Sequence, residues 1–143
     1  MKCEIIIDSF CEEKVVVYAK EKNALVEEIK KLVEQSSTAL LGYKDSEITN
    51  LNLIDIHCIS VISNKVYALC DKERYLLKER LYSLQEKLPD TFVKINQSCL
   101  ANIKNIERFD TSISGTLKIR FKNGHIDYVS RRQLKLIKER IGI

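Results

Sequence analysis

Phe92-Val93-Lys94-Ile95-Asn96-Gln97-Ser98-Cys99-Leu100-Ala101-Asn102-Ile103 is the stretch on which the reading of the fold turns. Apolar residues flank a polar break, so it reads as a strand over 92–95, a turn carrying Asn96, Gln97 and Ser98, and a second strand over 100–105. Upstream, Pro89 ends a preceding element, because the residue before a proline is pushed out of the helical region. That element has Leu77, Leu81, Leu84 and Leu88 at helical spacing, and we expect a strand to about Leu77 followed by a helix.

Downstream the pattern is β again. Ile106 to Asp110 is a strand, and Leu117, Ile119 and Phe121 alternate with Lys118 and Arg120. Asn123-Gly124 then closes a tight hairpin, since both residues tolerate positive φ, and Ile126 and Tyr128 continue the alternation on the return strand. Ser130 is placed to cap a last helix from Arg131 to about Arg140, with Leu134, Ile137 and Ile141 on its core side.

Further upstream, Ile54 to Ile62 is apolar enough for a core strand, and Ser63-Asn64-Lys65 offers a turn into Val66 to Cys70. Before a boundary near residues 42–45 lies something different. Cys3 to Ile7 and Lys14 to Tyr18 read as two strands, and Asn23 caps a helix whose stripe is Leu25, Ile29, Leu32 and Val33. The expected organisation is a β-β-α extension over 1–44 and a mainly β domain with short helices over 45–143.

Composition narrows the class. A chain of 143 residues with 45% hydrophobic and 31% charged residues, four Gly and one Pro, is globular and of single-domain size. No apolar run is long enough to span a bilayer, and the acid at Glu4 argues against a secretory leader, so a cytoplasmic location is expected. From Phe92 onward eleven Lys and Arg face four Asp and Glu, a balance of +7, whereas the first 91 residues carry −3. A basic segment beside an acidic one is the electrostatic footprint of a nucleic-acid surface.

Enzymatic chemistry has little to stand on. His57 and His125 lie far apart, no metal-ligand spacing joins them to other donors, and there is no phosphate-binding glycine loop or nucleophile elbow. The five cysteines are scattered singly, outside any C-x-x-C spacing, and are expected to be small buried hydrophobes. No metal, cofactor or small-molecule substrate is expected.

Two polar constellations remain. In Lys94 to Ser98, Lys94 can meet a phosphate and Gln97 has the paired donor and acceptor that suit an adenine edge. In Ser130-Arg131-Arg132-Gln133, a hydroxyl and free backbone N–H groups can hold a phosphate while an arginine reaches guanine.

The order of these pieces, Phe92 to Ile103, then Asn123-Gly124, then Val129-Ser130-Arg131-Arg132, resembles the LytTR family of bacterial DNA-binding domains, back to about Asp45. The resemblance implies an elongated set of antiparallel β-sheets and a binding mode in which loops, rather than a recognition helix, enter successive major grooves of promoter DNA. Carried over, the loop positions are Asn64 and Lys65, Gln97 beside Lys94, with Asn96 and Ser98 in the same turn, and Arg132 beside Arg131 after Ser130. Many members have Arg where this chain has Gln97, which puts the preferred base in doubt. The 44 preceding residues are too few for a phosphoacceptor receiver domain. The chain is similar instead to short standalone regulators, often encoded beside a small membrane protein that modulates them, and the family's use of paired short repeats implies a homodimer on double-stranded DNA.

Overall fold

The computed structural model describes residues 2–12, 14–37, 40–111 and 115–143. Among the described residues, ten strands form two antiparallel sheets. The larger contains β1 (Leu40–Lys44), β2 (Glu47–Leu51), β3 (Cys58–Ile62), β4 (Lys65–Leu69), β5 (Arg74–Leu77), β6 (Phe92–Asn96) and β7 (Cys99–Asn102) in the order β2-β1-β5-β4-β3-β7-β6. The smaller holds β8 (Ile106–Thr111), β9 (Leu117–Phe121) and β10 (Ile126–Val129) in the order β10-β9-β8. The helices among the described residues are α1 (Ala24–Ser37), α2 (Leu81–Lys87) and α3 (Arg131–Ile141). This is the expected mainly β architecture with short helices.

Strand alternation divides the core into two faces. Ile59 of β3 and Leu100 of β7 point to one side, where they bury against Leu84 and Leu88 of the α2 region with Leu40, Ile56 and Phe92. Their neighbours Cys58, Cys99 and Ala101 point to the other side, against Leu117, Ile119 and Phe121 of β9 and Ile137 of α3. The central strands are thus covered on both faces, which is why Cys58–Ile62 and Cys99–Ala101 are apolar but for Ser60. Full burial of Ile59 or Leu100 contributes about 1.5–3 kcal/mol each.

Several expectations are corrected. The strand expected over 54–62 begins only at Cys58, because Asn52 Oδ1 accepts from Ile54 N at 3.2 Å and winds Leu53–Asp55 into a 3-10 turn. Asn102 likewise turns Ile103–Asn105 into a 3-10 helix, shortening the strand expected to Asn105. At Asn123-Gly124 only Gly124 has positive φ, +88°. Because Gly124 N bonds Phe121 O at 2.9 Å and Ile126 pairs with Arg120, the loop has three residues rather than two.

At the amino-terminal end α1 forms with Asn23 as its cap, Oδ1 accepting from Val26 N at 2.9 Å. The runs Cys3–Ile7 and Lys14–Tyr18 form no strand among their described residues, and the β-β part of the expected extension is absent there. Local propensity favours extended backbone, but a strand needs a hydrogen-bonded neighbour, and an isolated hairpin is marginal in water. Ile7 is 94% exposed and Phe10 97%, and Leu25 and Leu32 of the α1 stripe are also exposed rather than packed on a core. By contrast β1, on the amino-terminal side of the expected boundary at residue 44, pairs with β2 and β5 and buries Leu40 in the main core.

Candidate nucleic-acid interface

Three turns meet at one end of the large sheet. The first joins β3 to β4: Ile62 pairs with Lys65, and Ser63 and Asn64 between them take φ of 51° and 64°. Two successive left-handed residues make the primed hairpin turn that matches strand twist, and Asn tolerates that region well. Asn64 and Lys65 are exposed there.

The second turn, Gln97-Ser98, joins β6 to β7 beside the first. Val61 N donates to Ser98 O at 2.8 Å, tying the end of β3 to this turn. The ladder shifts between Lys94 and Asn96, opposite Leu100 and Cys99, so Ile95 is the extra residue of a bulge. Asn96 Oδ1 accepts from Ser98 N at 2.8 Å, which bends the chain and leaves Gln97 and Ser98 exposed.

The third is the entry to α3. Ser130 N donates to Ile95 O at 2.8 Å, bringing the first turn of the helix against the end of β6. The side chain of Ser130 makes no capping bond, contrary to the expectation that its hydroxyl would cap the helix, and Arg131 and Arg132 are exposed. Residues 63–65, 94–98 and 130–132 are therefore neighbours in space, although more than 60 positions separate the outer two in sequence.

Some basic side chains lie in ion pairs and others among the described residues, including Lys104, Lys122, Lys135 and Lys138, do not. Arg108, Lys118, Arg120 and Arg140 each lie within 4 Å of a carboxylate. Among the described residues no acid pairs with Lys65, Lys94, Arg131 or Arg132. Four cations without an internal partner concentrate positive potential on one surface.

Asn96 does not stand free. Its Nδ2 donates to Asp127 Oδ1 at 2.9 Å and to Tyr128 O at 2.8 Å. Asp127 was not singled out by the sequence; an acid alternating with Ile126 and Tyr128 looks like any solvated strand position, and no local spacing connects it to Asn96. Behind it His125 Nε2 lies 3.9 Å from Asp127 Oδ2. The His125 pKa is raised, first by the neighbouring Cys58 sulfur and further by the charge of Asp127, against the opposing effect of burial. Cys58 and Cys99 are buried as expected of cysteines in this composition, whereas Cys3 and Cys11 are exposed and Cys70 is partly so. Among the described residues no three His, Cys, Asp or Glu side chains converge to hold a metal ion, and no helix is long and apolar enough to cross a membrane.

The family description of the LytTr DNA-binding domain matches residues 46–142. The chain belongs to the LytTR family. It is a DNA-binding domain of the transcription-regulator kind, from a family that is not one of enzymes. Proteins named as uncharacterized HTH-type transcriptional regulators in Staphylococcus aureus strains NCTC 8325 / PS 47 and COL are 34% identical over 146 residues, covering 100% of this chain and 99% of theirs. A solved LytTr DNA-binding domain from Bacillus cereus has the same fold, with a TM-score of 0.70 at 15% identity, covering 75% of this chain and 99% of that one. Among the described residues of this LytTR chain, five strands separate α2 from α3, so the two do not form a helix-turn-helix unit.

Proposed function

We propose that this LytTR protein is a sequence-specific transcriptional regulator that reads promoter DNA by inserting three loops into successive major grooves on one side of the duplex. The observation that carries the reading is the meeting of the three exposed turns with four cations that have no internal partner. Lys65, Lys94 and Arg131 contact phosphates and position the protein; Gln97 and Arg132 reach base edges, Gln97 suiting adenine and Arg132 guanine. Asn64 lies at the tip of its turn, and Ser98, Ser130 and the first N–H groups of α3 add phosphate contacts.

Two partners belong to the same reading. The protein binds paired short repeats as a homodimer, and a small membrane protein modulates it from the cytoplasmic side. Exposed Ile5, Ile6, Ile7 and Phe10 support an interaction role for the amino-terminal segment, since contiguous exposed apolar surface marks contact sites.

The test is a fluorescence titration against a duplex that the protein itself selects from a random library, with an unrelated duplex alongside. Log affinity should fall linearly and steeply with log salt, and the selected duplex should bind at least about a thousandfold more tightly than the unrelated one. Affinity insensitive to salt, or equal for both duplexes, would overturn the proposal.

A further inference from the structure

We infer that Asn96 and Asp127 form a latch that fixes the Gln97 turn against the first turn of α3, so that both are positioning residues for DNA reading rather than contacts with DNA. The inference rests on the proposed three-loop mode and assigns a role within it that neither residue's chemistry announces.

The argument begins with the bulge in β6. An extra residue in one strand leaves its backbone outside the ladder, and here the Ile95 carbonyl accepts Ser130 N–H at 2.8 Å. One rung between β6 and the start of α3 is therefore main chain. The second is the Asn96 amide, which has two N–H donors and one oxygen with two lone pairs. Both donors are committed, to Asp127 Oδ1 at 2.9 Å and Tyr128 O at 2.8 Å, and one lone pair holds Ser98 N at 2.8 Å. Bidentate recognition of adenine needs a free donor beside a free acceptor, and Asn96 has no donor left to give. It can read a base only by releasing the turn that presents Gln97.

Asp127 supports the same conclusion from the opposite sign. A carboxylate beside a phosphate-binding surface weakens attraction to any DNA, so on electrostatic grounds alone its removal should strengthen binding. Its Oδ1 instead accepts both Asn96 Nδ2 and Tyr128 N, the latter at 2.8 Å, which sets the path of the chain just before Ser130. Loop position gains what overall attraction loses.

The experiment measures full-length wild type, Asn96→Ala, Asp127→Ala, Asp127→Asn and the double alanine variant against the selected and unrelated duplexes, with circular dichroism melts to establish folding. Each single alanine change should lower affinity for the selected duplex by about tenfold, and the double no further than either single, because the two act as a unit. On the unrelated duplex Asp127→Ala should bind as well as wild type or better. Asp127→Asn, which keeps the accepting oxygen, should retain selected-duplex affinity and stays informative if an alanine variant fails to fold.

Multiplicative losses from the two alanine changes, or Asp127→Ala tightening both duplexes alike, would overturn the latch. So would a loss of selected-duplex affinity in Asp127→Asn equal to that in Asp127→Ala. Gln97→Ala and Arg132→Ala, measured in parallel, isolate the underlying reading: if neither weakens the selected duplex, the three-loop mode fails, while the coupling between Asn96 and Asp127 is judged on its own data.

Discussion

Asn102 donates from Nδ2 to the carbonyl of Ile56 at 2.9 Å and to that of Leu53 at 3.3 Å, while its Oδ1 accepts from Lys104 N at 3.2 Å. The residue is 2% exposed, and the two carbonyls share it with other donors: Ile56 O also accepts from Asn105 Nδ2 at 3.0 Å and Leu53 O from Ile56 N at 3.2 Å. One buried amide thus holds the 3-10 turn before β3 and starts the one after β7. Asn102→Ala should cost about 1–3 kcal/mol, because the hydrogen bonds and the packing of a buried amide are lost together, and Asn102→Asp should not rescue it, having no N–H to donate. Urea denaturation midpoints check this, with DNA affinity per folded molecule unchanged.

On DNA, Arg132→Ala and Lys94→Ala should separate. The first removes a proposed base contact and should cost about 1–3 kcal/mol on the selected duplex, relaxing preference at one base pair. The second removes a proposed phosphate contact and should weaken all duplexes similarly, lowering the salt slope by about 1. Equal losses on selected and unrelated DNA for Arg132→Ala would reassign that residue to the backbone.

Acid should act on the fold through His57. Burial penalises its cation and holds its pKa below the ordinary 6.5, Lys122 acting in the same direction while Asp71 opposes. Below that value the unfolded chain takes up a proton that folded His57 refuses, so the stability it contributes is present above 6.5 and lost as pH falls through the folded pKa. Unfolding midpoints of His57→Phe should vary less with pH between 7 and 5 than those of wild type. His125 has the reverse sign: its raised pKa makes it stabilising on the acid side, with that contribution lost as pH rises through the folded value.

Stability should also depend on what lies before residue 45. A Cβ at Gly42 would sit 2.7 Å from Tyr75 Cβ and 2.8 Å from Leu51 Cδ1. Gly42→Ala should therefore cost about 1–3 kcal/mol through overpacking. A chain beginning at residue 45 loses β1, leaves β2 without its partner and deletes the buried Leu40; its unfolding free energy should drop by at least about 3 kcal/mol. A chain beginning at Asn23 keeps all three and should unfold near the wild-type midpoint.

Where the chain was legible, period and turn chemistry agreed. Leu117, Ile119 and Phe121 all bury as their alternation implies, and the positive φ at Ser63 and Asn64 is what a polar break between two apolar runs requires. What escaped reading depends on partners remote in sequence. Leu40–Lys44 contains a glycine and no alternation, and is a strand because β5 and β2 receive it. Cys3–Ile7 has the composition of a strand and is none, since nothing described pairs with it. Asn96 reads as one of three polar turn residues, and nothing near it in sequence points to Asp127, 31 positions away, whose carboxylate accepts from its amide.

The order of strands in the large sheet has a consequence for synthesis. Central β3 is flanked by β4, which follows it at once, and by β7, which ends at Asn102. On a ribosome adding about 5–20 residues per second, the mostly apolar strand Cys58–Ile62 therefore waits roughly 2–8 s for the strand that covers its second edge. During that interval the nascent chain presents an unpaired apolar edge, and chaperone capture or pairing between neighbouring chains competes with folding.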